Sequence, residues 1–189
     1  MDLYLIAVNY RQICFVIMAD HGRYVILGSI DGLLAVLGVV IGASAATVSN
    51  SFVINAAIGG AVALALTNGV GSYLAEGAVE YHKLAMLSKP MLRSLENTRL
   101  EREIKRKIWI DSIVHGGSSF AGSLVPIAPF IILETHTLEA SIILSILTLV
   151  VLGTYSGRLA RQNILSHIIR MVGLGIAIVV IVTALGLGH

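Results

Sequence analysis

The stretch YVILGSIDGLLAVLGVVIGASAA, Tyr24 to Ala46, decides the fold. It carries a single charged residue, Asp31, and no proline, and it is long enough for a helix rising about 1.5 Å per residue to cross a hydrocarbon core of roughly 30 Å. Four further blocks of the same kind follow: about Val53–Ala75, Ile113–Leu133, Ala140–Gly157 and Ile164–Leu187. The connections are a short polar turn at Thr47–Ser51, a charged stretch from Glu76 to Ile110, an acidic turn at Glu134–Glu139, and a basic turn around Arg158 and Arg161. Overall 56% of the 189 residues are hydrophobic and 13% are charged, against about 25% charged in a soluble domain. The expectation is an all-α polytopic membrane protein with five transmembrane helices.

Working outward, Met1–Ala19 is apolar in two short pieces split by Asn9-Tyr10-Arg11-Gln12. Neither piece can span, and a sixth crossing with Arg11 at its centre is costly, so this segment is expected to be an interfacial helix. Asp2 and the lack of a basic leading segment argue against a cleaved signal peptide. The resulting organisation is an interfacial N-terminal helix at 1–22, spans 1 and 2 at 23–75, a cytoplasmic basic amphipathic helical loop at 76–110, and spans 3 to 5 at 111–189. In that loop Leu84, Leu87, Met91 and Leu95 recur at helical spacing, as do Leu100, Ile104 and Ile108, and Pro90 is expected to break or kink the first run.

Orientation follows from Lys and Arg alone. With the N-terminus in the cytoplasm, all 13 basic residues fall on the inner side, and the two outer turns have none. This is the segregation that the positive-inside rule describes. The C-terminus is then outside, and the expected location is the cell membrane. The net charge of +2 gives no ground for nucleic-acid binding. The lone Cys14 excludes an internal disulfide and a Cys-rich zinc site.

Asp31 is the most informative residue. It lies about 12 Å along the helix from Arg23, and an intramembrane carboxylate is by default a functional-site candidate. The plainer alternative is a packing acid that bonds a nearby serine or stays protonated. Span 2 runs antiparallel and carries Asn68, Ser72, Glu76 and Glu80 every four residues, a polar stripe on one helical face. Asn68 is expected level with Asp31, and Glu76 and Glu80 at the cytoplasmic mouth, where they collect a cation or simply pair with a nearby Arg or Lys. Oxygen ligands of this kind suit Mg, Mn or ferrous iron better than Cu(I). One chain offers few ligands at the buried level, and a two-fold dimer doubles them. The glycines of span 1 (Gly28 and Gly32, Gly38 and Gly42), at GxxxG spacing, permit such an approach.

In span 3, His115-Gly116-Gly117 resembles an oxyanion-hole turn only superficially, because no Gly-x-Ser-x-Gly elbow follows. His115 is read as a packing or gating histidine, with a proton-carrying role as the alternative. Pro126 and Pro129 are expected to kink this span. Met86 and Met91 are read as ordinary apolar surface rather than ligands. The chain is not expected to be an enzyme or to hold a permanent cofactor.

Three motifs in order carry a family resemblance. Asp31-Gly32-Leu33 with Gly38-Val39-Val40-Ile41-Gly42, then Asn68-Gly69-Val70-Gly71-Ser72-Tyr73, then Ser118-Ser119-Phe120 through Leu124-Val125-Pro126-Ile127-Ala128-Pro129 resemble the first three spans of the vacuolar iron transporter family. The likeness runs from roughly Arg23 to Leu187. It implies a homodimer that moves ferrous iron or manganese out of the cytoplasm in exchange for protons, through a path between the two copies lined by spans 1 and 2. Asp31 matches the family's intramembrane aspartate. Asn68 stands where the family has methionine and Ser72 where it has glutamate, with Glu76 one turn on. The loop is more basic than the family's glutamate-rich cytoplasmic domain. Two other functions remain compatible with the residues: transport of another solute on the same scaffold, and a non-transporting membrane scaffold whose basic loop binds anionic lipid or a partner.

Overall fold

A computed structural model describes the backbone of residues 2–46, 49–91, 98–160 and 163–186, and the side chains of 22–46, 49–88, 98–160 and 163–185. Five helices follow in order: α1 Asp2–Ala46, α2 Asn50–Met91, α3 Arg99–Ile132, α4 Thr137–Leu159 and α5 Ile164–Gly186. No strand occurs among the described residues. The protein is an all-α polytopic membrane protein, and among the described residues each expected span falls on a separate helix, with Leu133 as the C-cap of α3.

Three helices are longer than a bilayer needs. α1 has 45 residues, and the expected interfacial segment continues into span 1 without a break. The side chains of 1–21, and so the interfacial placement of that segment, lie outside the described residues, as does the side chain of Met91. α2 has 42 residues and stays helical through Pro90 to Met91, so the expected break does not fall at that proline. α3 begins at an N-cap, Thr98, whose hydroxyl accepts from the Glu101 backbone N–H. The loop is therefore helical on both sides, a continuation of α2 and an early start of α3.

Four segments are long and apolar enough to cross a membrane by themselves: Gly22–Ala46, Asn50–Ser88, Thr137–Leu159 and Ile164–Leu185. α3 is too rich in serine, glycine and charge to qualify alone, and its position explains why it need not. It is the central helix, packed on α1, α2 and α4. Its small and polar residues Asp111, Ser112, Gly116, Ser119, Gly122 and Ser123 are buried, while Trp109, Ile113, Phe120, Leu124, Ile131 and Ile132 face outward. Lipid meets the apolar side, and neighbouring helices meet the polar side.

The α1–α3 crossing is made by small residues. A Cβ on Gly32 would fall on the carbonyl of Ser119, and one on Gly122 on the carbonyl of Ser29, so only glycine permits this separation. Ser123 Oγ donates across the crossing to the Gly32 carbonyl at 3.2 Å, and Ser118 Oγ to that of Tyr24 at 3.1 Å. Gly38 and Gly42 face Val182 of α5. All four span-1 glycines thus face helices of the same chain, Gly28 and Gly32 against α3 and Gly38 and Gly42 against α5. Ser141 Oγ of α4 donates to the Pro126 carbonyl at 2.7 Å, tying the proline turn to its neighbour.

Two apolar clusters fill the rest. Val36, Val40, Val53, Ala57, Ala61, Ile127 and Phe130 join α1, α2 and α3 toward the outer end. Leu33, Leu34 and Leu149 join α1 to α4, with Met171, Val172 and Ile178 of α5 packed against them. At the opposite end Gly22 lies against Leu159, and Tyr24 meets Glu76. The ends that carry the basic residues therefore come together on one side of the bundle.

Candidate functional site

α1 turns Leu33, Leu34 and Leu37 into the core and leaves Leu27, Asp31 and Ala35 exposed on a stripe of four-residue spacing. Asp31 thus lies on the outer surface of a single chain, at membrane depth. It leans on α2. Asn68 Nδ2 donates to Asp31 Oδ2 at 2.6 Å and to Ser119 Oγ of α3 at 2.8 Å. Ser119 Oγ in turn donates to the His115 carbonyl at 2.9 Å. These bonds engage both N–H groups of the amide and leave its carbonyl oxygen as the atom able to meet a cation. The level match expected between Asp31 and Asn68 is what the structure places there, and Asp31 bonds this amide rather than a serine hydroxyl.

One turn toward the cytoplasmic end, Ser72 is 9% exposed and its hydroxyl contacts His115 Nδ1. His115 Nε2 is buried with no hydrogen-bond partner, and the imidazole lies against the Tyr24 ring, with centroids 5.7 Å apart. The expected packing or gating histidine therefore wedges between α1 and α2, below Asp31. A turn further on, the Tyr24 hydroxyl donates to Glu76 Oε1. Arg23 donates to the same hydroxyl at 3.0 Å and lies 3.6 Å from Glu76 Oε1, with its guanidinium carbon 4.9 Å from the Tyr24 ring centre. Glu80 pairs with Lys83 at 2.8 Å.

The four stripe residues share one face of α2, but each has its own partner. Asn68 meets Asp31, Ser72 meets His115, Glu76 meets Tyr24 and Arg23, and Glu80 meets Lys83. Among the described residues, no three His, Cys, Asp or Glu side chains converge on a point where a metal ion could be held. A single chain thus brings one carboxylate and one amide to the buried level. The sequence reading missed Ser119 as the group that orients Asn68, and Tyr24 as the bridge between α1 and Glu76. The available signal was Ser119 four residues after His115, on the same helical face.

Known sequences decide the family. An uncharacterized protein of Methanocaldococcus jannaschii, MJ0645, is 32% identical over 178 residues, which is 92% of this chain and 93% of its own length. The VIT family matches residues 81–188. The chain belongs to the VIT family. VIT membership is membership of the vacuolar iron transporter family, and it puts the chain among membrane proteins of metal-ion transport. The VIT match begins at Tyr81, inside α2, so Asp31, Asn68, Ser72, Glu76 and Glu80 all precede it. The archaeal relative extends the likeness over nearly the whole chain.

Proposed function

We propose that this VIT protein exports a divalent metal ion, ferrous iron or manganese, from the cytoplasm across the cell membrane in exchange for protons, along a path on the axis of a homodimer. The observation that carries this reading is the exposure of Asp31 on the membrane-embedded surface of one chain, beside Asn68. A carboxylate facing lipid at that depth is expensive. A second copy applied to the same stripe by a two-fold axis covers it and presents two carboxylates and two amide oxygens to one space. Such hard oxygen donors favour Mn(II) and Fe(II) over Cu(I).

In this mechanism Glu80 and Glu76 attract the ion at the cytoplasmic mouth, and Arg23 yields Glu76 to it. The ion passes Ser72 and reaches Asp31 and Asn68. A proton arriving from outside neutralises the Asp31 carboxylate and so releases the metal. The protein acts as a transporter rather than an enzyme, and the metal is its cargo.

Flux of Fe(II), Mn(II) and a panel of other ions in proteoliposomes tests this. Asp31→Asn is expected to cut metal flux at least tenfold while the protein still elutes as a folded dimer. Export by the variant at the wild-type rate removes the centre of the proposal.

A further inference from the structure

On the other flank of α2 from Asp31, a groove runs between α2 and α3. Its larger part has a volume of about 530 Å³, open along one side, and is lined by apolar and small groups such as Leu66, Val70, Ile113 and Phe120, with Gly117 on its α3 wall. A smaller part of about 310 Å³ continues it toward the cytoplasmic end, between Tyr81 and Lys105. Tyr73 and Trp109 line both parts, their rings 5.4 Å apart.

The groove changes character along its length. From Trp109 to Phe120 it descends about 16 Å along the helix, close to the roughly 15 Å depth of one hydrocarbon leaflet. Tyr73 and Trp109 form an aromatic collar where the helices leave the hydrocarbon, the level at which such rings settle, and Tyr81 lies two turns further out along α2. Above the collar, Lys105 opens to solvent and Arg102 lies one turn on. Lys105 bonds Glu101 at 2.7 Å, and that carboxylate holds its ammonium above the usual lysine range, so it stays cationic. The segment Arg99–Lys107 carries five basic and two acidic residues. A cationic head above an aromatic collar and an apolar slot of leaflet depth complements one class of molecule, a phospholipid with an anionic headgroup in the cytoplasmic leaflet.

We infer that the α2–α3 groove is a binding site for one anionic phospholipid, its acyl chain lying along Gly117 and its headgroup held at Lys105 and Arg102. The site is independent of the metal path, because none of Asp31, Asn68, Glu76 and Glu80 lines it.

Trp109 is the chain's single tryptophan and stands in the groove wall, so its fluorescence reads occupancy. The full-length protein is reconstituted in phosphatidylcholine vesicles containing either dibrominated phosphatidylglycerol or dibrominated phosphatidylcholine. Half-maximal quenching is expected at a mole fraction at least threefold lower for the anionic lipid. The double variant Arg102→Gln, Lys105→Gln is expected to bring the two curves together. Gly117→Leu adds a side chain where a Cβ meets no atom within 4 Å, and is expected to abolish the preference by filling the slot. Identical curves for the native protein, meaning ordinary boundary lipid, overturn the inference. So does a preference that survives both variants. So does a Trp109 that no lipid quenches while cysteines placed at Ile113 crosslink two copies, which would make this face a protein interface.

Discussion

Asp31 and Glu76 show how the same chemical group, a carboxylate, takes different parts according to its surroundings. Asp31 is exposed at membrane depth with one amide donor on it. Glu76 is 22% exposed at the cytoplasmic end and shared by a tyrosine hydroxyl and a guanidinium. Arg23 occupies the carboxylate that an incoming cation needs, so metal must compete with a tethered positive charge. A partly exposed ion pair of this kind contributes on the order of 1 kcal/mol or less, which a divalent ion can displace. Glu76→Gln is expected to raise the half-saturating metal concentration several-fold with little change in maximal rate, because it weakens attraction at the mouth and leaves Asp31 intact. Initial-rate measurements over a range of Mn(II) concentrations check this; an unchanged half-saturation point would remove Glu76 from the path.

At the scale of elements, α3 is the helix whose sequence looks least suited to a membrane and whose place in the bundle is most protected. Its serines return their hydroxyls to backbone carbonyls, as Ser112 does to Ile108 and Ser123 to Ser119, both at 2.7 Å, so these buried hydroxyls are satisfied without water. The crossing with α1 depends on Gly32 having no side chain. Gly32→Val is expected to destabilise the protein by about 2 kcal/mol or more, since backbone atoms must move to admit the new carbons. Gly38→Val is the control, because its neighbours are the side chains of Val182 and Ile178 at 3.8 and 3.9 Å, which can shift. Thermal unfolding in detergent compares the two; equal losses would show that the α1–α3 separation is not set at Gly32.

For the whole molecule, the polar ends and the apolar girth are arranged inside out relative to a soluble bundle. Leucine, isoleucine and valine cover the outside as well as the core clusters, and serines, a carboxylate and glycines sit among those clusters in the interior. The ends bearing Arg23, Lys83, Arg102 and Arg158 share one side of the bundle, so the charge asymmetry read along the chain becomes a physical asymmetry across it. A fluorescent protein fused to the N-terminus is expected to mature in the cytoplasm, and alkaline phosphatase fused to the C-terminus to be active outside. A cytoplasmic C-terminus would mean an even number of crossings and would overturn the five-span topology.

The sequence by itself determined the number and order of the membrane-crossing runs, because a bilayer forces long apolar runs to satisfy their backbone internally and gives them a required length, but not how far α1, α2 and α3 extend beyond them. It also picked out Asp31 and the Asn68–Glu80 stripe, since a polar group in an apolar run and a four-residue period are visible in one dimension. It did not show that the span-1 glycines are spent on α3 and α5, or that Ser119 orients Asn68. Nor did it show that His115 closes on Ser72, or that Tyr24 and Arg23 hold Glu76. Those facts join residues such as 31, 68 and 119 from three different helices. Hydropathy and spacing fix which residues share a face of one helix, but only packing between helices decides what that face meets.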